Sequence, residues 1–315
     1  MKEIDVIIPI FEPKEEFCGL LQRLEHQTRR ARRIIFLRTV RDSAEGENPL
    51  KEKKPQEGNV LTAKRLEELC AAYDNIEIYA VREEDFDHGG TRHEGIMRAG
   101  AEIVVLMTQD AIPADDALLE RLVLPIEEGK AAVSYARQLP KPESGALEAY
   151  TRAFNYPESS RLKTREDLQT LGIKAFFCSN VCAAYDREVY IKSGGFIRKT
   201  IFNEDMIFAR GLLDRGYAIY YAADARVLHS HRYTPAQQFR RNFDLGVSQA
   251  DHPEVFADVF SESEGKRMVR ELTGTFLRKG RLLLLWELYL TSAAKYLGYL
   301  LGKRYARLPK AVIMR

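Results

Sequence analysis

A carboxylate and two imidazoles in this sequence could together hold a divalent cation. Asp110 ends an apolar run of strand length, and His229 and His231 end another. Residues i and i+2 of a strand point to the same face, so both imidazoles could face one ligand. Mixed carboxylate and imidazole ligands suit a divalent cation, and zinc hydrolases use the same ligand types. The alternative is that Asp110 caps the following helix, a role for which Asp115 and Asp116 are equally available.

Two adjacent acids, Glu204 and Asp205, open a segment of helical pattern after Gly194-Gly195-Phe196. A carboxylate within hydrogen-bond reach can take the proton of a hydroxyl nucleophile as a general base. The simpler interpretation is that both acids complement the helix dipole, which is worth about 0.3–1 kcal/mol each. On these residues alone the helix-dipole interpretation is favoured.

A glycine-containing turn, His88-Gly89-Gly90-Thr91-Arg92, enters a segment of helical pattern. Glycines allow backbone N–H groups to approach a phosphate at a helix N-terminus, and a guanidinium offers a fork of donors to the same anion. Such turns are also common on protein surfaces. Its place directly after a predicted strand favours the phosphate interpretation.

The first half of the chain supplies a scaffold for these residues, because strand-length apolar runs alternate with segments of helical period. This pattern is typical of a mostly parallel sheet covered by helices. We predict strands at 5–9, 33–37, 76–81, 103–107 and 131–135, and helices at 14–27, 61–73, 91–99 and 114–125. Ligands of such sheets lie beyond the carboxyl ends of the strands, so the loops 9–12, 86–91 and 108–113 should meet around one cleft.

The second half has an α+β pattern that ends in helices. The segment 41–59 is a polar loop, and a Pro-containing region extends to Tyr156. Beyond it we predict a helix from 165, an apolar stretch at 175–185, a helix at 205–215, and strands at 219–222 and 225–228. From Pro235 onward the pattern is nearly all helical. The expected domains are therefore a catalytic unit at 1–235 and a helical extension at 236–315.

The composition is that of a globular protein, with 315 residues of which 45% are apolar and 30% charged. The 48 basic and 46 acidic residues leave a net charge of +2, which gives no chain-wide case for a nucleic-acid partner. The 4 cysteines have no disulfide or zinc spacing, which indicates a reducing compartment. Neither a signal sequence nor an uncharged run of spanning length is evident. We expect a cytoplasmic protein.

The C-terminal segment is basic, with twelve Lys and Arg but only two acids from Lys266 onward. On a helical wheel of 278–307, one side carries Arg278, Arg281, Lys295, Lys303 and Arg307. An amphipathic basic helix can lie at the surface of an anionic membrane, so a peripheral contact with the inner face is one expectation. The alternative is a helix pair that packs on the catalytic unit or forms a homodimer.

Taken in order, the motifs resemble glycosyltransferase family 2, and most closely its bacterial rhamnosyltransferase branch. The resemblance extends from about residue 3 to residue 250. It rests on the blocks Val6-Ile7-Ile8-Pro9, His88-Gly89-Gly90-Thr91-Arg92, Thr108-Gln109-Asp110-Ala111, Asn203-Glu204-Asp205-Met206 and Val227-Leu228-His229-Ser230-His231. Each block is weak alone, whereas five in the family's order and spacing are fairly specific.

The resemblance implies the GT-A nucleotide-diphosphate-sugar fold and an inverting, metal-dependent transfer of a sugar to a hydroxyl. The donor would be a dTDP- or UDP-sugar, with rhamnose as the expected sugar, and the acceptor a cell-surface polysaccharide or its lipid-linked precursor. Asp205 matches the family's catalytic base, with Glu204 beside it. Asp110 matches the last acid of the metal motif and would hold Mg²⁺ or Mn²⁺, with His229 as a second ligand and His231 assisting.

The same resemblance assigns residues to the donor. Its base and ribose would lie against Pro9, Phe11 and Glu12. Its phosphates would lie near a second set, namely Gly90, Arg92, Gln109 and Asp110.

Two positions depart from the family pattern. Arg38 stands near the place where the family commonly has an Asp that contacts the base, and His93 follows Arg92 where the family usually has Asn. A sugar nucleotidyltransferase is a weaker alternative, because its Gly-x-Gly-Thr-Arg loop follows the first strand and here it follows the third. A non-catalytic binding or assembly subunit is disfavoured because Asp110, Asp205 and His229 are all present.

Overall fold

The computed structural model describes residues 1–41, 60–231, 233–259 and 262–308. Apart from Arg41, the predicted loop 41–59 lies outside these residues. The described strands form one sheet. They are β1 (Ile4–Ile10), β2 (Arg33–Val40), β3 (Ile76–Arg82), β4 (Ile103–Met107), β5 (Ile112–Pro113), β6 (Val133–Leu139), β7 (Arg161–Lys163), β8 (Cys182–Asp186) and β9 (Ile219–Leu228).

The sheet order is β3-β2-β1-β4-β8-β6-β9-β5, with β7 paired to β9. Strands β3, β2, β1 and β4 are parallel, as predicted for the first half. Strand β8 is antiparallel to both β4 and β6, so the expectation of a mostly parallel sheet is wrong for the second half. The chain enters β8 at the carboxyl end of β4, where Thr108 N donates to Val181 O at 3.1 Å, and it must therefore run back along β4.

Helices cover both faces of the sheet. The α-helices are α1 (Glu16–Glu25), α2 (Ala63–Cys70), α3 (His88–Arg98), α4 (Leu118–Glu127), α5 (Ala146–Asn155), α6 (Leu168–Leu171), α7 (Arg187–Lys192), α8 (Glu204–Asp214), α9 (Pro235–Asp251), α10 (Pro253–Phe256), α11 (Glu262–Arg278) and α12 (Leu282–Gly302). Helices α5 and α7 and strands β5 and β7 were not predicted. The predicted strands 219–222 and 225–228 are one strand, β9, which has a register shift opposite Ala136 and Arg137.

The core lies on both faces of the central strands. All five residues of β4 are buried, which explains why its sequence is an unbroken apolar run. At the opposite edge of the sheet from the expected cleft, the fully buried Asp5 accepts hydrogen bonds from Arg32 and from the backbone N–H groups of Gly100 and Ala101. A buried carboxylate needs such partners, and these fix the amino ends of β1 and β4.

The C-terminal segment is two helices, and this corrects the single wheel drawn for 278–307. Gly280 adopts a left-handed φ of 63° between α11 and α12, so Arg278 and Lys295 lie on different helices. Burial also lowers the pKa of Lys295, which does not belong to an exposed basic face. Within the described residues, we find no helix that is both long enough and apolar enough to cross a membrane.

Helix α12 packs closely on α9 through small residues. A Cβ atom at Gly298 would overlap the backbone oxygen of Phe239, and one at Gly302 would overlap that of Phe243. Glycine is therefore required where the two backbones meet. The predicted boundary at residue 235 stays a prediction, but α9 and α12 form one packed unit.

Candidate active site

Three potential metal ligands converge at the carboxyl end of β4 and the end of β9. Asp110 Oδ2 lies 3.1 Å from His231 Nε2 and 3.5 Å from His229 Nε2. One ligand atom from each residue lies within 4.8 Å of the others. The structure thus brings together the three residues that the sequence predicted as metal ligands.

Gln138, on β6, fixes the orientation of His229. Its Oε1 lies 3.0 Å from His229 Nδ1 and also accepts from Arg152, while its Nε2 donates to Ser179 Oγ at 3.0 Å. Because Oε1 can only accept, Nδ1 must carry a proton. His229 Nε2 is then left to hold a second proton or a metal ion beside the carboxylate of Asp110.

Asp110 is held in its ionised form. Burial opposes its ionisation, but the interactions with His229 and His231 hold the pKa of Asp110 well below its usual range. Burial also lowers the pKa of His231, which favours the neutral imidazole that a metal ion requires. One oxygen ligand and two nitrogen ligands fit a divalent cation such as Mn²⁺.

The two adjacent acids at the start of α8 have different surroundings. Glu204 is buried, and its Oε1 lies 3.2 Å from Arg92 Nη1 and accepts from Asn180 Nδ2 at 3.1 Å. Tyr185 in turn donates to Asn180 Oδ1 at 2.6 Å. Glu204 is therefore held by two side chains, Arg92 and Asn180, and Tyr185 fixes the second of these in turn.

Asp205 is more open than Glu204. Its Oδ2 accepts from the backbone N–H of Asn180 at 3.0 Å, and its Oδ1 accepts from Met206 N at 2.8 Å. Burial, followed by the negative charge of Glu204, raises the pKa of Asp205 well above the ordinary value of an aspartate. A carboxylate with a raised pKa and a partly exposed side chain is suited to accept a proton.

Ser179 and Asn180 connect the two halves of the site. Ser179 accepts the hydrogen bond of Gln138, which orients His229, and Asn180 binds both Glu204 and Asp205. These two consecutive residues precede β8, whose antiparallel course brings them to the carboxyl edge of the sheet. The metal cluster and the acidic pair are therefore parts of one site.

The turn before Glu204 is held in an unusual conformation. Asn203 has a left-handed φ of 69°, which asparagine tolerates better than most residues. Its Nδ2 donates to Ser248 Oγ at 3.0 Å, and Ser248 donates to Phe202 O at 2.7 Å. Helix α9 thus supports the loop that presents the acids.

The glycine turn supports the acidic pair. Helix α3 begins at His88, three residues before the predicted start, because Asp87 caps it and accepts from Gly90 N at 2.5 Å. Gly89 lies against the backbone oxygen of Ile197, where a Cβ would not fit. Arg92 is buried and donates to His88 O at 2.9 Å as well as facing Glu204. Contact of Gly90 and Arg92 with donor phosphates stays a prediction.

The loop after β1 is joined to the loop after β4. Gln109 Oε1 accepts from Phe11 N at 2.8 Å, and Gln109 Nε2 donates to Phe11 O at 2.9 Å. Glu12 has a left-handed φ of 44° and pairs with Arg41 at 3.0 Å. Phe11 is exposed, and Pro9 at the end of β1 is partly exposed. These residues line the carboxyl edge of the sheet, as predicted for the cleft, and their contact with a base and ribose stays a prediction.

Three supporting residues were missed by the sequence analysis. Gln138 and Ser248 belong to no motif, and Asn203 stands in the block of the two acids without an assigned role of its own. Only the convergence of β6, the α8 turn and α9 reveals what they do. Gln138 lies three residues beyond the predicted strand 131–135, so the sequence analysis did not place it in the sheet.

Comparison with known proteins identifies the family. The family model described as "Glycosyl transferase family 2" matches residues 61–194. The chain is 39% identical over 243 residues to the O-antigen chain rhamnosyltransferase RfbN of Salmonella typhimurium, covering 76% of this chain and 77% of that protein. The chain belongs to glycosyltransferase family 2. The O-antigen chain rhamnosyltransferase WbaN of Salmonella anatum is also 39% identical over 243 residues, with 76% of each chain covered.

Solved structures confirm the GT-A fold of this glycosyltransferase. The mannosyltransferase PcManGT from Pyrobaculum calidifontis, in complex with GDP-Man and Mn²⁺, superposes with a TM-score of 0.61 at 14% identity, covering 96% of this chain and 87% of that chain. The S. aureus protein TarS 1–349 gives a TM-score of 0.52 at 12% identity, covering 97% and 91%. The fold predicted from the sequence motifs is therefore correct, with the mixed sheet described above.

Proposed function

We propose that this glycosyltransferase moves rhamnose from dTDP-rhamnose, or a related UDP-sugar, to a hydroxyl of a lipid-linked polysaccharide precursor, with inversion at the anomeric carbon. The names of the two Salmonella relatives, O-antigen chain rhamnosyltransferases, support the sugar and the acceptor class. The observation that carries the proposal is the link through Ser179 and Asn180, which joins a metal cluster to a carboxylate with a raised pKa.

Asp205 acts as the general base in this proposal. The acceptor O–H loses its proton to the Asp205 carboxylate as its oxygen bonds to the anomeric carbon, and the bond from that carbon to the diphosphate breaks. Asn180 and Met206 hold the carboxylate through backbone N–H groups, so its orientation is set before the substrate arrives. Glu204 is a positioning residue, because its carboxylate is already engaged by Arg92 and Asn180.

Asp110, His229 and His231 would hold Mg²⁺ or Mn²⁺. The fit rests on the ligand set and on Gln138, which leaves His229 Nε2 directed at Asp110. When bound, the cation would stabilise the negative charge that grows on the departing nucleoside diphosphate. Phe11, with its backbone fixed by Gln109, would lie against the base and ribose.

The C-terminal helices would bring the enzyme to an anionic membrane, where a lipid-linked acceptor resides. Along α12 a stripe of exposed apolar residues lies to one side of Gly298 and Gly302, namely Leu283, Trp286, Leu290, Leu297 and Leu301. Basic residues that would attract anionic headgroups flank both ends of this stripe: Arg278, Lys279, Arg281, Lys303, Arg304 and Arg307. We therefore place the enzyme in the cytoplasm, peripheral at the inner face of the membrane.

Vesicle sedimentation tests the membrane contact. Leu283→Glu/Trp286→Glu should abolish cosedimentation with phosphatidylglycerol vesicles, whereas Leu124→Glu, at an exposed leucine of α4, should not. Equal sedimentation of the two variants would exclude the stripe as the contact. The stripe would also be excluded as the membrane contact if ultracentrifugation showed a homodimer that the double substitution dissociates.

Calorimetry with a nucleotide panel tests the donor site. We expect dTDP or UDP to bind in the presence of Mn²⁺ or Mg²⁺, more weakly without metal, and in preference to GDP and CMP. Asp110→Ala should remove the metal dependence, whereas Asp116→Ala, at an exposed acid six residues on, should retain it. Failure of the wild-type protein to bind any nucleotide would contradict the proposed function.

A further inference from the structure

Arg241, on α9, is held between two aromatic rings that belong to the loops of the site. Its guanidinium carbon lies 4.7 Å from the ring centroid of Tyr233 and 5.3 Å from that of Phe202. Tyr233 comes two residues after the metal ligand His231, and Phe202 three residues before Asp205. Contacts of a guanidinium with two ring faces restrict its motion without using its N–H donors.

The two rings connect Arg241 to both halves of the site. The centroid of Tyr233 lies 5.1 Å from that of His231, and Phe202 stacks on His88 at 6.2 Å. Arg241 is therefore connected through one ring to the loop of His231 and through the other to the glycine turn.

The N–H groups of Arg241 are available to a ligand. Among the residues that the structure describes, no carboxylate oxygen lies within 4.0 Å of its guanidinium and none of its N–H groups has a hydrogen-bond acceptor. The side chain is exposed. The other two arginines of the site are engaged: Arg92 is buried against Glu204, and Arg152 is bonded to Glu148 and Gln138.

We propose that Arg241 binds the diphosphate of the donor, beside the metal ligands, in the place that the sequence assigned to Arg92. This inference rests on the proposed function and adds to it a residue that lies outside every sequence motif. A planar guanidinium matches two phosphate oxygens at once, and its fixed charge would stabilise the leaving diphosphate. The aromatic rings hold the fork in position, so little side-chain entropy is lost when the anion binds.

Calorimetry on the full-length protein with Mn²⁺ tests this role. Arg241→Ala should weaken binding of dTDP or UDP about 10- to 100-fold, weaken binding of the corresponding monophosphate less, and leave binding of the nucleoside unchanged. Arg241→Lys should bind more tightly than Arg241→Ala but less tightly than wild type, because lysine keeps the positive charge and lacks the planar pair of N–H donors. Arg240→Ala, at the exposed neighbour on the same helix, should stay within about twofold of wild type. Thermal unfolding of each variant reports whether it is folded.

The outcomes separate this inference from the function on which it rests. If the wild-type protein binds the diphosphate and Arg241→Ala binds it as tightly as Arg240→Ala does, Arg241 has no role at the diphosphate. If Arg241→Ala weakens nucleoside and diphosphate equally, its effect is on the shape of the pocket and the inference is wrong. A wild-type protein that binds no nucleoside diphosphate overturns the inference together with the proposed function.

Discussion

His229 Nδ1 lies 3.0 Å from Gln138 Oε1, and this contact decides which nitrogen of the imidazole can meet a metal ion. Oε1 also accepts from Arg152, and the amide nitrogen of Gln138 donates to Ser179, so the amide cannot be turned around. Nε2 is therefore the nitrogen that faces Asp110. A residue of β6 thereby sets the orientation of the imidazole that follows β9.

Replacement of Gln138 should weaken metal binding. Partners that orient a ligating histidine typically contribute 10- to 100-fold to metal affinity, so Gln138→Leu should raise the dissociation constant of Mn²⁺ about tenfold or more. Electron paramagnetic resonance of free Mn²⁺ measures this directly. Gln22→Leu, at an exposed glutamine of α1, is the control. An unchanged dissociation constant in Gln138→Leu would show that His229 does not need this partner.

The pH dependence of turnover should report the raised pKa of Asp205. A general base must be deprotonated, so kcat/KM should fall as the pH falls through the pKa of Asp205, which lies above the usual value of about 3.9. Glu204→Gln should move this acid limb to lower pH. This substitution removes the negative charge of Glu204, a charge that raises the pKa of Asp205. It also leaves the positive charge of Arg92 without its partner, and that charge lowers the pKa of Asp205.

A pH profile over about pH 4 to 9 provides the measurement. An acid limb that Glu204→Gln leaves in place, or moves to higher pH, would assign that limb to another group. Glu94→Gln, at an exposed acid on α3, should leave the limb where it is in wild type.

A side chain in place of a glycine at the contact between α9 and α12 should destabilise the protein. Gly298→Ala places a Cβ against the backbone oxygen of Phe239, so the helices must separate, and we expect a loss of about 1–3 kcal/mol in the free energy of unfolding. Gly265→Ala is the matched control, because that glycine on α11 is exposed and a Cβ there meets nothing within 4 Å. It should raise the stability by up to about 1 kcal/mol.

Thermal unfolding of the two variants compares these effects. The account predicts opposite signs for the change in Tm. A Gly298→Ala protein as stable as wild type would show that the backbones of α12 and α9 do not meet at Gly298.

The first half of the fold could be predicted because three of its strands, β1, β2 and β4, are largely buried. Strands such as β4 read as unbroken apolar runs, and their carboxyl ends carry Asp110 and the loop of Phe11. The meeting of Asp110, His229 and His231 could be predicted in the same way, since both histidines follow directly after β9. The direction of β8 could not be predicted, because an apolar strand carries no signal of which way it runs beside its neighbours.

The supports of the site were harder to predict because each lies far along the chain from the residue it holds. Gln138 and His229 are 91 residues apart, and Asn203 and Ser248 are 45 apart. The start of α3 was also placed too late, since two glycines in a first turn oppose a helix on propensity. The Asp87 cap and the close contact of Gly89 with Ile197 outweigh that preference.

The central claim is that Asp205 takes the proton of the acceptor, and Asp205→Asn tests it most directly. The amide keeps the shape of the side chain but cannot act as the base, so kcat should fall about 10²- to 10⁴-fold while binding of dTDP or UDP stays within about twofold. Asp244→Asn, at a partly buried acid of α9, should keep most of its activity. A rate of sugar transfer by Asp205→Asn equal to that of wild type, with donor binding intact, would contradict the account.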